Sequence, residues 1–398
     1  MIVTDKWSWD YPLFESYVEG LRKDVKKHPS SYVPFQAFLT PLSVITLFAI
    51  WKEGKIACPL NPKHPNIEPF LQRVKSPLFI PIFPSPQTPT DKSWDEGSLD
   101  PQQLATCLYT SGSSGTPKIA CHTLSNHLFS AKGSLQMIPL TPKSLWAQTL
   151  PLYHVGGLGI LFRCYLSKAK ILFSSSLQRA THISLVPTQL YRLLRDKVPL
   201  PNLQSVLLGG APLPSFHTPY PILPTYGMTE MSSQIVTNHQ VHPYAQIEIR
   251  EDQSIWVKGD VLFQGYLQDD HTLLKNVDAR GWFETKDLGE WKNNQLFILG
   301  RQDNLFISGG ENIQPEEIER VIRLDYPEEE ALVVPILDEE FGARPALYLK
   351  NPSLFPQIQA RLKEHLPSFK IPIKAFLLPE GSGLKPNRKW LQQQALDS

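Results

Sequence analysis

The run Tyr109-Thr-Ser-Gly-Ser-Ser-Gly-Thr-Pro-Lys118 concentrates residue types that can hold an oxyanion. Thr110, Ser111, Ser113, Ser114 and Thr116 offer hydroxyl donors, Gly112 and Gly115 permit turns that a Cβ would block, and Lys118 adds a positive charge. An apolar, strand-like run over 104–109 precedes it and a helical pattern over 122–134 follows, so the segment reads as a strand–loop–helix crossover. It is not a Walker loop: the G-x-x-x-x-G-K-[ST] spacing is absent, and Pro117 precedes Lys118. A flexible Ser/Gly linker is the plain alternative, but such a linker rarely follows a buried strand and ends in Thr-Pro-Lys. Metal-ligand spacings are missing elsewhere. Cys58, Cys107, Cys121 and Cys164 form no C-x-x-C pair, and His122 and His127 belong to no H-E-x-x-H pattern.

The elements that must position this loop alternate between strand and helix. A helix over 41–53 closes at Gly54, and strands follow over 55–60 and 104–109. Beyond the helix over 122–134 come strand 145–150, helix 157–166, strands 169–173 and 182–186, helix 187–196 and strand 204–208. Such alternation predicts parallel sheets covered by helices. From about 245 to 299 short alternating strands with Gly and Asn-Asn turns predict a small antiparallel unit. After Gly300-Arg-Gln-Asp303 the order becomes strand 305–308, helix 315–324, strands 330–336 and 344–350, helix 354–366 and strand 374–378. That is the split-βαβ order of a separate small domain. The predicted fold is therefore α/β: a large N-terminal domain, 1–302, of helix-covered β-sheets plus a small β unit, then a small mobile α+β C-terminal domain, 303–398.

Composition narrows the partners. The 398 residues are 41% hydrophobic and 19% charged, enough to bury a large core, and 37 prolines imply many loops, Pro77 to Thr90 among them as a surface connection. A formal net charge of +1 supplies no field to attract nucleic acid or an anionic membrane, so any phosphate must meet a local site. The N-terminus lacks the basic-then-apolar pattern of a signal peptide, and no apolar run reaches the roughly 20 residues that span a bilayer. The expectation is a soluble cytoplasmic protein without nucleic-acid or membrane partners, with a homo-oligomer left open.

The loop from Thr110 to Lys118 resembles the signature loop of the adenylate-forming superfamily, which includes acyl-CoA ligases, luciferases and peptide-synthetase adenylation domains. Further stretches are similar in the same order. Tyr226-Gly-Met-Thr-Glu230 resembles Y-G-x-T-E, which implies Tyr226 and Gly227 against adenine, Thr229 at the α-phosphate and Glu230 as the Mg²⁺ carboxylate. Leu208-Gly-Gly-Ala-Pro212 implies Gly209, Gly210 and Ala211 beside adenine and the acyl group. Thr285-Lys-Asp287 and Gly300-Arg-Gln-Asp303 resemble T-G-D and G-R-x-D, which makes Asp287 the ribose acceptor, Arg301 a ribose or phosphate donor and Asp303 the hinge; Lys286 stands where the family has Gly. Pro379-Glu-Gly-Ser-Gly-Leu-Lys385-Pro-Asn-Arg388 resembles P-x-x-x-x-G-K-x-x-R, with Lys385 as the adenylation lysine and Leu384 where Gly is commonest.

The block Gly300-Arg-Gln-Asp-Asn-Leu-Phe-Ile-Ser-Gly-Gly-Glu-Asn-Ile-Gln-Pro-Glu-Glu-Ile-Glu319 and Asp338-Glu-Glu-Phe-Gly-Ala-Arg-Pro345 are similar to the o-succinylbenzoate–CoA ligases of menaquinone (vitamin K2) synthesis. That resemblance implies ATP, Mg²⁺ and CoA, with an acyl-adenylate intermediate. It places His154, in Leu150-Pro-Leu-Tyr-His154-Val-Gly-Gly-Leu158, near the acyl pocket and thiol entry. The substrate's second carboxylate, on the ring, needs a donor, and Arg163 is the candidate, directly or through water, because a buried cation seldom goes unpaired. A core role remains the alternative for His154. Ligation of another fatty or aromatic acid, loading of a carrier protein, and non-catalytic nucleotide binding are the competing readings.

Overall fold

A computed structural model describes residues 1–87, 100–110, 118–210, 218–379 and 388–396. Two large sheets share one core. In the first, Ile222–Met228, Ser205–Leu208, His182–Leu185, Leu145–Ala147, Lys170–Phe173 and Ile2–Thr4 lie side by side and parallel, with antiparallel strands at both edges. In the second, Tyr32–Gln36, Ile56–Leu60 and Leu104–Thr110 are parallel, and Lys118–Thr123, Gly265–Leu267 and Leu273–Leu274 continue antiparallel.

Helix Pro41–Lys52 lies in the core between them. Its residues from Ser43 to Trp51 are all buried, the pattern of a helix covered on every side. Trp51 shows how the layers lock: its Nε1 donates to the Ala105 carbonyl at 2.8 Å, and its ring stacks on Phe162 with centroids 5.3 Å apart. Burial of each such side chain contributes roughly 1.5–3 kcal/mol.

The sequence reading needs correction at the phosphate loop. Residues 118–123 are a strand, not the approach to a helix, and pair antiparallel with Leu104–Thr110 in the register Thr110↔Lys118. The loop therefore connects two antiparallel, paired strands rather than a strand and a helix. The helix starts at Leu124 because Thr123 caps it: Thr123 Oγ1 accepts from the Asn126 amide at 3.2 Å, and Asn126 Oδ1 accepts from the Thr123 amide at 2.9 Å. Helix Tyr11–Lys27 and strand Tyr32–Gln36 were not anticipated.

The antiparallel unit is present as four strands, Ala245–Ile249, Ser254–Gly259, Phe283–Lys292 and Gln295–Arg301. Downstream, Phe306–Ser308 folds back on Glu311–Ile313 through Gly309 and Gly310, at φ +56° and +85°, as a separate two-stranded sheet. Three strands, Ala331–Asp338, Gly342–Leu349 and Ala375–Leu377, form the remaining sheet, against which helices Pro315–Asp325 and Phe355–His365 bury Ile318, Ile322, Ile358 and Leu362. No helix among the described residues is long and apolar enough to cross a membrane.

Candidate active site

Strand Ile222–Met228 carries Tyr226 and Gly227 to an antiparallel neighbour, Ser233–Thr237, with a register shift between them. Gly227 is required there: a Cβ would sit 2.1 Å from the Ser233 carbonyl oxygen. Tyr226 Oη donates to Asp287 Oδ2 at 2.7 Å, and Arg301 NH1 donates to Asp287 Oδ1 at 3.0 Å. Asp287 and Arg301 are direct cross-strand partners. The other guanidinium branch of Arg301 reaches Asp303 Oδ2 at 3.1 Å. One hydrogen-bonded chain therefore joins Tyr226, Asp287, Arg301 and Asp303. Burial pushes the Asp287 carboxyl above its usual range, against the opposing pull of Arg301 and Tyr226. The Arg301 guanidinium lies 3.0 Å from it, the geometry of an ion pair. Gly209 and Gly210 follow the neighbouring strand Ser205–Leu208, and the Gly209 amide donates to Leu185 O at 3.2 Å.

Glu230 sits in the short turn Thr229–Met231 directly after this strand, 8% exposed. Its Oε1 accepts the Tyr266 hydroxyl at 2.5 Å, and the Lys118 ammonium lies 4.7 Å from the centre of the same ring. No cation among the described residues pairs with Glu230. A shielded carboxylate left without a counter-ion is a hard oxygen ligand that suits Mg²⁺. The Thr229 carbonyl accepts from His122 Nε2 at 2.7 Å, and burial holds His122 down at about 4, so it is neutral at pH 7. Thr110 and Lys118 frame the mouth of the phosphate loop. Ser111, Gly112, Ser113, Ser114, Gly115, Thr116, Ala211 and Lys385 lie outside the described residues.

Helix Val155–Ser167 supplies the third part. His154 stands at its N-terminus, exposed, edge-on to Tyr153. Two turns on, Arg163 is 2% exposed, its guanidinium 4.5 Å from the centre of the Trp146 ring. Its NH1 donates to Gln234 Oε1 at 3.1 Å, its Nε has no partner, and no carboxylate among the described residues pairs with it. Burial lowers its pKa to about 10. His182 and His242 are each held near 4 by burial and then by the Arg163 charge, so neither competes as a second cation. Gln234 is the cross-strand partner of Gly227, so the buried guanidinium is linked to the strand that carries Tyr226.

The structure thus brings Tyr226, Asp287, Arg301 and Asp303 into direct contact. Lys118 and Glu230 meet only through Tyr266, a residue the sequence reading missed; its one signal is the alternating stretch Gly265-Tyr-Leu267 beside a strand edge. Lys286, which stands at the Gly position of the T-G-D element it resembles, holds the left-handed conformation, φ +62°, so the lysine is accommodated in backbone that favours glycine.

Residues 66–267 match the model of the AMP-binding enzyme family. The chain is 38% identical over 317 residues to the 2-succinylbenzoate–CoA ligase of Salmonella typhimurium strain LT2, covering 74% of this chain and 69% of that one. The o-succinylbenzoate CoA synthetase of Bacillus subtilis superposes with TM-score 0.81 at 26% identity, both in complex with its acyl-adenylate intermediate OSB-AMP and in complex with ATP and magnesium ion. These superpositions cover 98% of this chain in each case, and 94% and 96% of those chains. The chain belongs to the AMP-binding enzymes and, within them, to the 2-succinylbenzoate–CoA ligase family.

Proposed function

We propose that this protein ligates o-succinylbenzoate to CoA at the expense of ATP, through an acyl-adenylate, in menaquinone synthesis. The succinyl-side carboxylate attacks the α-phosphorus and pyrophosphate leaves; the CoA thiol then attacks the acyl carbon and AMP leaves. No covalent enzyme intermediate is needed, so positioning and charge stabilisation carry the rate.

Tyr226 packs on adenine, Asp287 accepts the ribose hydroxyls, and Arg301 donates beside it. The loop from Thr110 to Lys118 holds the phosphates, with Thr229 at the α-phosphate. Glu230 is the residue that would hold Mg²⁺, and that ion neutralises phosphate charge when bound. Lys385 stabilises the charge that grows as the carboxylate attacks. We assign residues 1–302 to ATP and acyl binding and residues 303–398 to a unit that turns about Asp303, withdrawing Lys385 and admitting CoA next to His154. Four buried cysteines, none in a disulfide, support a cytoplasmic location.

The buried guanidinium of Arg163, with no carboxylate partner among the described residues, carries the choice of acid. A cation without a charged partner costs free energy unless an anion comes to it, and o-succinylbenzoate has a second carboxylate to offer once the first has reacted. Purified protein with MgATP, CoA and a panel of o-succinylbenzoate, benzoate, medium- and long-chain fatty acids and coumarate, read by mass spectrometry, tests this. The expected product is the o-succinylbenzoyl thioester alone. A thioester from another acid overturns the substrate, and adenylate without thioester redirects the second step to a carrier protein.

A further inference from the structure

Strand Gly265–Leu267 is short, yet it is pinned on both sides, with Tyr266 opposite Ala120 on one neighbour and Leu274 on the other. Residues two apart on a strand share a face, so Lys118 lies diagonally across from Tyr266, within reach of an aromatic and a long side chain. The ring is fixed further by an edge-on contact with Phe263, centroids 4.8 Å apart, and the Phe263 amide donates to the Glu230 carbonyl at 2.9 Å. The outcome is one side chain with two polar engagements: its face under the Lys118 ammonium and its hydroxyl on Glu230 Oε1.

We propose that Tyr266 is a positioning residue that fixes Glu230 as a magnesium ligand and aligns it with Lys118 at the mouth of the phosphate loop. This rests on the reading of Glu230 as the carboxylate that holds Mg²⁺. The Glu230 carboxylate would otherwise rotate about its side-chain bonds. A phenol bonded to one oxygen fixes that rotation and leaves the second oxygen to the metal, the arrangement by which outer groups tune ligating carboxylates. The ring beneath Lys118 holds the ammonium without neutralising it, as a carboxylate partner would.

Calorimetric titration of ATP into the protein, with Mg²⁺ or with excess EDTA and without acid or CoA, reads the two engagements separately. In Tyr266→Phe the affinity in EDTA should stay within about twofold of wild type, while the gain conferred by Mg²⁺ should shrink by roughly tenfold to a hundredfold. In Tyr266→Leu the affinity in EDTA should also drop, by about twofold to fivefold, because Lys118 loses its aromatic platform. A full Mg²⁺ gain in Tyr266→Phe, or an equal loss with and without Mg²⁺, overturns the proposal. Glu230→Gln separates the two readings. If it loses the Mg²⁺ gain while Tyr266→Phe keeps it, Glu230 stands and Tyr266 falls. If Glu230→Gln keeps the gain, the reading of Glu230 falls and takes this one with it.

Discussion

Tyr226 Oη donates to Asp287 Oδ2 across 2.7 Å, although the two residues are 61 positions apart. Arg301 occupies the other carboxylate oxygen, so Asp287 is held in place by two donors before any nucleotide arrives. For the ribose diol proposed to bind there, that preorganisation would lower the ordering cost.

Replacing Asp287 by Ala removes this acceptor. ATP affinity should fall roughly tenfold to a hundredfold, the range expected for lost hydrogen bonds to a charged group. Calorimetry with ATP is the check, and an unchanged dissociation constant would remove the ribose role.

Arg163→Met separates recognition from stability. The KM for o-succinylbenzoate should rise at least about tenfold, whereas an analogue lacking the ring carboxylate should be little affected. Urea unfolding should show stability unchanged or raised by about 1–2 kcal/mol, because an unpaired buried charge is gone. Equal losses on both acids would deny Arg163 its carboxylate.

Lys286 bears a left-handed backbone that costs a side-chain-bearing residue roughly 1 kcal/mol. Lys286→Gly should therefore raise the urea midpoint. The ion pair to Glu284 at 2.6 Å that it sacrifices is partly exposed and contributes little. A lowered midpoint would mean that the pair outweighs the strain.

His122 is neutral in the fold at about 4, below its usual value of 6.5, because burial disfavours its charge. The unfolded chain binds the extra proton between those values, so this contribution is fully present above pH 6.5 and is lost as pH falls toward 4. The loss amounts to roughly 3 kcal/mol. His122→Gln should show a smaller drop in unfolding free energy from pH 7 to pH 4 than wild type. An identical drop would assign the acid sensitivity elsewhere.

Lys385→Ala should slow adenylation by about a hundredfold to a thousandfold, while thioester formation from added acyl-adenylate continues near the wild-type rate. Rapid-mixing assays of the two half-reactions distinguish this from equal loss of both, which would argue against a lysine that leaves between steps.

The residues proposed for the nucleotide could be picked out of the sequence because many of them are contiguous. Tyr226-Gly-Met-Thr-Glu230 places a ring, a hydroxyl and a carboxylate within one strand and turn, where chain geometry alone limits their separation. The α/β class was legible for a similar reason, since alternating periods report local burial. The loop proposed to hold phosphates was read in the wrong setting, before a helix instead of between paired strands. Ile119, Ala120 and Cys121 are apolar enough for either element, and only pairing with Leu104–Thr110 makes them a strand.

Residue types, and the reaction class they allow, were set by the sequence itself: hydroxyls, glycines, carboxylates and lysines follow one another in the order of the motifs they resemble. Tertiary structure alone decided that Tyr266 stands between Lys118 and Glu230, that Asp287 faces both Tyr226 and Arg301, and that Arg163 is buried with no carboxylate partner among the described residues. The physical reason is register. Which residues meet across strands far apart in the chain follows from how the apolar faces of whole sheets bury together, and no short stretch of sequence contains that information.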